Sequence, residues 1–159
     1  TVEGTRPMLL EMQALVSPTS YGIPKRTATG VDYNRVGMLL AVLEKRVGLQ
    51  IQNQDVYLNI LGGIKMKEPS IDLGIVIAIA SSFRNVAVDE TIAVTGEVWL
   101  TGEVRAINLI EKRLKEAEKL GFKTCIIPES NKKNLKDTYK LDIIGVHNIN
   151  EAIKAAFEK

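Results

Sequence analysis

Residues 69–83 read Pro-Ser-Ile-Asp-Leu-Gly-Ile-Val-Ile-Ala-Ile-Ala-Ser-Ser-Phe. From Ile71 to about Phe83 the stretch is apolar nearly all round. That pattern predicts a helix that is either central in the domain or part of a subunit interface. Ser70 stands at its mouth, directly after Pro69. A serine there has two readings. It can cap the helix by accepting a bond from a first-turn N–H. It can also be a nucleophile lifted to a helix start, where free N–H groups hold an oxyanion. The second reading needs a base within hydrogen-bond reach.

Upstream, Met8–Val16 reads as a strand and Pro18–Gly30 as a loop rich in Ser, Thr, Gly and Pro. Asp32 caps a helix from Tyr33 to about Val47, with Val36, Leu39, Leu40, Leu43 and Val47 as its apolar stripe and Gly48 as its stop. Asp55–Leu61 alternates and reads as a strand ended by Gly62 and Gly63. Ile64–Pro69 is a short loop. Downstream, Thr95-Gly96-Glu97-Val98 recurs as Thr101-Gly102-Glu103-Val104. A repeat that short predicts a local hairpin. Asn108 caps a helix through Leu120, and Gly121 ends it. Lys123–Ile127 and Leu141–Val146 are strands, and Asn148 or Asn150 caps a final helix. This order gives a two-layer α/β or α+β domain with no internal linker.

The 159 residues fit one domain with a real core, and 45% hydrophobic and 25% charged residues are ordinary for a globule. A net charge of +2 does not by itself mark a nucleic-acid binder. One cysteine, Cys125, excludes an intrachain disulfide and makes reduced, intracellular surroundings the default. The longest apolar run, Leu73–Ala80, is far short of the roughly 18 residues that span a bilayer. No signal peptide is visible. The chain starts at Thr1 and reads as a fragment of a longer protein.

There is no G-x-x-x-x-G-K-[ST] loop and no G-x-G-x-x-G. With one Cys and one His no Cys/His zinc cluster can form, so no metal site is expected. His147 falls in a strand-to-helix turn, and Cys125, beside Ile126 and Ile127, reads as a small core residue.

Arg113 breaks an apolar stripe made of Leu109, Ile110, Leu114, Ala117 and Leu120. It lies four residues from both Leu109 and Ala117, so it shares their inward face. A charge there wants a partner, a carboxylate or backbone carbonyls. Glu97 and Asp72 are the candidate acids.

Pro69-Ser70, the apolar helix, Thr95-Gly96-Glu97, Gly102, Glu111-Lys112-Arg113 and Gly121-Phe122-Lys123 through Pro128–Lys133 together resemble the proteolytic domain of Lon. The resemblance implies that domain's α+β, two-layer fold (ribosomal protein S5 domain 2-like). In that family a serine after such a proline and a lysine in the later helix form a Ser–Lys dyad. Ser70 falls on the serine and Arg113 on the lysine. The chain departs from the family at Ile71-Asp72, where small residues are usual, and at Ile107-Asn108-Leu109-Ile110, where the approach is Gly-rich. With these changes and Val2–Pro7, which is similar to the junction after an ATPase domain, the whole chain resembles the carboxy-terminal domain of the RadA (Sms) family of bacterial DNA repair and recombination proteins.

A dyad lysine works because burial keeps it neutral enough to take the serine proton. An arginine, with a pKa of about 12.5–13.8, leaves on the order of one molecule in a million neutral at pH 7. Lys112 points about 100° away around the helix and is a poor substitute. The expected catalytic set is therefore empty, with Ser70 and Arg113 as degenerate dyad positions. An active Ser–Lys peptidase and a purely structural oligomerisation module are the competing readings.

The resemblance implies a homo-hexameric ring, with the Leu73–Ala80 helix and the hairpin around Trp99 at or near subunit contacts, or else in the monomer core. It implies a bacterial, cytoplasmic, DNA-associated protein. The RecA recombinase is a candidate partner, and the parent's ATPase drives branch migration. The resemblance also implies that ATP, Mg and Zn belong to the amino-terminal domains, so no cofactor is expected for this chain. Residues 18–50 hold Lys25, Arg26, Arg35, Lys45 and Arg46 against Asp32 and Glu44, a basic cluster suited to DNA phosphates. Arg35 and Arg46, at helical spacing, share one face. A second cluster is Lys132, Lys133, Lys136 and Lys140. Little aromatic interleaving argues against base stacking.

Overall fold

The computed structural model describes residues 11–61 and 68–158. The expected junction at Val2–Pro7, the Met8–Leu10 start of the first strand, Gly62–Gly63, Ile64 and Lys67 lie outside the described residues.

Three strands make a first sheet, β1 (Met12–Pro18), β2 (Arg26–Thr29) and β3 (Gln54–Ile60), in the order β1-β3-β2. β1 runs antiparallel to β3, with Leu15 opposite Tyr57, and β2 runs parallel to β3. The alternation expected for β3 is present: Val56, Leu58 and Ile60 are buried while Tyr57 is exposed. β2 corrects the sequence reading, which placed all of Pro18–Gly30 in a loop. It is a short edge strand with polar Thr27 and Thr29 turned outward, so it lacks the apolar alternation that marks a strand. At its end Gly30 has φ +86°, and a Cβ there would lie 2.5 Å from the Ile60 carbonyl oxygen. Only glycine closes β2 onto β3 at that distance.

Parallel neighbours need a crossover, and α1 (Tyr33–Val42) supplies it. Asp32 caps it as expected, accepting from the Asn34 N–H at 3.4 Å. The helix does not continue unchanged to Val47. Leu43–Val47 is a π-helical turn in which the Gly48 N–H reaches back five residues to the Leu43 carbonyl at 3.1 Å. The wider turn departs from the 3.6-residue register after Val42, and Arg46 still reaches the Leu100 carbonyl of the segment that follows Val98, whose N–H shares Asp72 with Arg35.

α2 (Asp72–Arg84) follows a 3₁₀ turn, Pro69–Ile71. It packs on β1, α1 and α5 (Ile149–Phe157), and Leu73, Ile75, Val76, Ile77, Ile79 and Ala80 are all buried by the chain itself. The apolar run thus fills the monomer core. After β4 (Ile92–Val94), the repeated Glu-Val pairs form the expected hairpin, β5 (Glu97–Val98) and β6 (Val104–Arg105), with Glu97 opposite Arg105. Trp99 in its turn is half-exposed, and the Arg105 guanidinium sits 3.7 Å above the indole ring.

A second sheet, all parallel, has the order β4-β7-β8, with β7 at Thr124–Pro128 and β8 at Asp142–Val146. α3 (Ile110–Lys119) and a short α4 (Glu129–Lys132), which the sequence reading did not foresee, lie on its crossovers. α5 is capped by Asn148, not Asn150: its side chain accepts from the Glu151 N–H at 2.9 Å. Two apolar centres result. The larger gathers α1, α2, α5 and the first sheet, and the smaller holds Ala93, Leu114, Ala117, Cys125, Ile127 and Leu141. The arrangement is the mixed α+β class read from the sequence.

Candidate functional site

Ser70 and Arg113 line one cavity of about 750 Å³, bounded by α2, β1, β4 and α3. Ser70 is only 4% exposed, and its Oγ has no hydrogen-bond partner among the described residues. This corrects its reading as a helix cap. Ser70 is already inside the 3₁₀ turn, and the residue in cap position is Glu68, whose side chain makes no capping bond. The Ser70 carbonyl is what anchors the turn, accepting from the Gly96 N–H and from Thr95 Oγ1, both at 3.1 Å.

The three amides that follow Ser70 are engaged. Ile71 N–H donates to the Glu68 carbonyl at 3.4 Å, Asp72 N–H to the Pro69 carbonyl, and Leu73 N–H to the Gly96 carbonyl at 3.0 Å. Oxyanion stabilisation needs donors aimed at empty space where charge develops. These three are aimed at carbonyls.

Arg113 comes from α3, which begins without a side-chain cap. Leu109, not the expected Asn108, occupies the cap position, with φ +62° in the left-handed region. Asn108 contributes its carbonyl instead, accepting from Arg113 Nε at 3.0 Å. Arg113 Nη2 donates to Glu68 Oε1 in an ion pair. Arg113 is 7% exposed, as its place in an apolar stripe predicts. Its partner was missed: neither Glu97 nor Asp72 is paired with it. Glu68 lies beside Ser70 in sequence, and its only signal was a carboxylate flanking the candidate serine. The stripe itself is narrower than expected, because Leu109 and Leu120 are exposed.

Asp72 serves Arg35. Arg35 Nε and Nη2 each lie 2.5 Å from one Asp72 carboxylate oxygen, and the Val98 N–H reaches Oδ2 at 2.9 Å. Asp72 is fully buried. Hydrogen bonding to it raises the Arg35 pKa above its already high ordinary value. The pair stitches α1, the start of α2 and the hairpin together.

The remaining basic residues are placed as follows. Arg26 Nη2 donates to the Ile51 carbonyl at 3.0 Å. Lys25, Lys45 and Arg46 are exposed, and Arg46 Nε reaches the Leu100 carbonyl at 3.3 Å. Lys132, Lys133, Lys136 and Lys140 are all exposed. His147 Nδ1 is 3.1 Å from Glu151 on the surface. Cys125 is buried, and desolvation pushes its thiol up to about 12. Among the described residues no group of His, Cys, Asp and Glu is arranged to hold a metal ion, and no helix is long and apolar enough to cross a membrane.

Comparison with known proteins places this geometry. The chain is 56% identical over 156 residues to the DNA repair protein RadA of Bacillus subtilis (strain 168), covering 98% of this chain and 34% of that protein. It is 53% identical over 154 residues to DNA repair protein RadA of Halalkalibacterium halodurans, covering 97% of this chain and 34% of the relative. With DNA repair protein RadA of Streptococcus pneumoniae it shares 48% over 157 residues, 99% of this chain and 37% of the relative. The chain thus spans about a third of the length of the curated relatives it matches. Residues 38–159 match the Lon protease (S16) C-terminal proteolytic domain, and by that match the chain belongs to the Lon C-terminal domain family, in a form closely similar to part of bacterial RadA proteins.

Proposed function

We propose that this chain is a single Lon-like domain that has lost peptide hydrolysis and serves a RadA-type DNA repair protein through ring assembly and DNA contact. The observation that carries the reading is the Arg113 guanidinium in the place of the dyad lysine, held by Glu68 and the Asn108 carbonyl. A guanidinium is not a general base in neutral solution, so this side chain is no substitute for the lysine that takes the serine proton. The engaged first-turn amides support the same reading. A direct test is incubation with an unfolded protein substrate. No cleavage is expected, and Ser70-dependent cleavage refutes the reading.

The DNA surface is drawn from Lys25, Lys45 and Arg46, which are exposed. Arg26 and Arg35 support it from behind, since their guanidinium groups bond within the domain. Replacing Lys25, Lys45 and Arg46 by Ala should weaken duplex binding and reduce the dependence of log K on log salt by about 0.9 for each phosphate no longer neutralised. Unchanged, salt-insensitive retention removes this surface. The half-exposed Trp99 and exposed Leu100 of the hairpin are offered as a contact within a homo-hexameric ring, checked by molar mass in solution with and without DNA. In the whole protein the domain would work beside an ATPase that drives branch migration, in the bacterial cytoplasm with the RecA recombinase. ATP, Mg and Zn would be bound elsewhere in that protein.

A further inference from the structure

We infer that the cavity beneath Ser70 and Arg113 is a binding site for a small apolar carboxylate. Its anionic head would rest on Arg113 Nη1 and Ser70 Oγ, and its hydrocarbon body would lie along α2. The inference rests on the non-hydrolytic reading above and adds a ligand to it.

Three observations carry it. First, the volume of about 750 Å³ is that of a small-molecule site, and Met12, Ile77, Val94 and Phe122 give it apolar walls. Second, Ser70 lines this cavity, and its buried Oγ has no hydrogen-bond partner among the described residues. Native proteins rarely leave such a hydroxyl unpaired, and a ligand oxygen completes it. Third, the hydrogen bonds of Arg113 among the described residues use Nε and Nη2 and leave Nη1 unused. A planar guanidinium presents its nitrogens in a fork that fits a carboxylate.

The other charges on the cavity narrow the ligand further. Glu11, Asp89 and Glu90 line it too, and all three are exposed. Asp89 already accepts from the Thr91 N–H and hydroxyl. These acids disfavour a second negative group and favour a ligand with one anionic head. Glu68, 43% exposed, is an internal carboxylate on the same guanidinium and so competes with the ligand.

Octanoate is the probe, titrated into the 159-residue chain by calorimetry, with octanol as the uncharged control. Saturable one-to-one binding is expected for octanoate, about tenfold or more tighter than for octanol. Ser70→Ala should weaken it several-fold, Arg113→Met should abolish it, and Glu68→Gln should tighten it. Where Arg113→Met loses its fold by circular dichroism, Ser70→Ala and Glu68→Gln decide. Octanol binding as tightly as octanoate overturns the inference, as does indifference to Ser70→Ala and Glu68→Gln, or the absence of saturable heat. A parallel incubation with unfolded casein separates the two claims. Ser70-dependent cleavage sinks the non-hydrolytic reading whatever octanoate does, whereas no cleavage and no heat sinks the ligand alone.

Discussion

Arg35 grips Asp72 with two nitrogens, each 2.5 Å from a carboxylate oxygen, across the joint between α1 and α2. Asp72 also takes the Val98 N–H of the hairpin, and it is wholly buried while the Arg35 side chain is 21% exposed. The carboxylate therefore depends on Arg35 for its charge balance. Replacing Arg35 by Ala leaves a buried, uncompensated anion and should cost about 3–5 kcal/mol. Arg35→Lys should cost less than the alanine change but more than a surface substitution, because one ammonium cannot serve both oxygens. Urea unfolding of the two variants checks the order. A loss of DNA binding in Arg35→Ala that vanishes once unfolded protein is corrected for marks the residue as structural.

Arg113→Lys restores the residue type of a Ser–Lys dyad without restoring its chemistry. Glu68 would pair with the new ammonium and favour its charged form, and the first-turn amides would still face carbonyls. No peptidase activity is expected from this single change. Cleavage of an unfolded substrate by Arg113→Lys, lost again in the Ser70→Ala background, contradicts this.

Leu109 holds a left-handed conformation, φ +62°, with its side chain 51% exposed. A non-glycine residue there carries about 1–2 kcal/mol of steric cost. Leu109→Gly relieves it but frees the unfolded chain by about 0.5–1 kcal/mol, so a net gain of about 0.5–1 kcal/mol is expected. That corresponds to a rise in Tm of up to about 4 °C for a domain of this size. Thermal unfolding with an unchanged or lowered Tm would show that Leu109 makes contacts of comparable worth.

Glu111 ties the loop before β8 to α3, accepting from the Tyr139 hydroxyl and from the Lys136 N–H at 2.9 Å. The Tyr139 hydroxyl and the Lys136 N–H hold its carboxyl below the ordinary glutamate value of 4.5. A depressed carboxyl contributes stability that is complete above 4.5 and is lost as the pH falls through the lower, folded-state value. The protection of the Lys136 amide, its exchange rate measured against the intrinsic rate at the same pH, should therefore fall as the pH drops below about 4.5. In Glu111→Gln that acid step should be absent, with protection already reduced at neutral pH.

Much of this was legible in the chain. Arg113 was found buried because its spacing from Leu109 and Ala117 fixes its face whatever packs against it. The hairpin was found because its turn chemistry is local. What escaped was set by tertiary meeting. Arg35 looked like a free cation on a basic stretch, and nothing within α1 announces that Asp72 lies 2.5 Å away. Nothing in the sequence marks Glu68 as the partner of Arg113, because the two are brought together only by the packing of α3 beside the 3₁₀ turn. β2 reads as loop because an edge strand of Arg-Thr-Ala-Thr draws its order from β3.

The seclusion of Cys125 has a practical side. It is the chain's one sulfhydryl, shut inside the smaller core and protonated across the whole working range. Maleimide reagents should pass it by. A cysteine engineered at Tyr21, 92% exposed in the loop between β1 and β2, would then be the sole point of attachment for a dye, letting association between copies be tested by energy transfer without first deleting the native thiol.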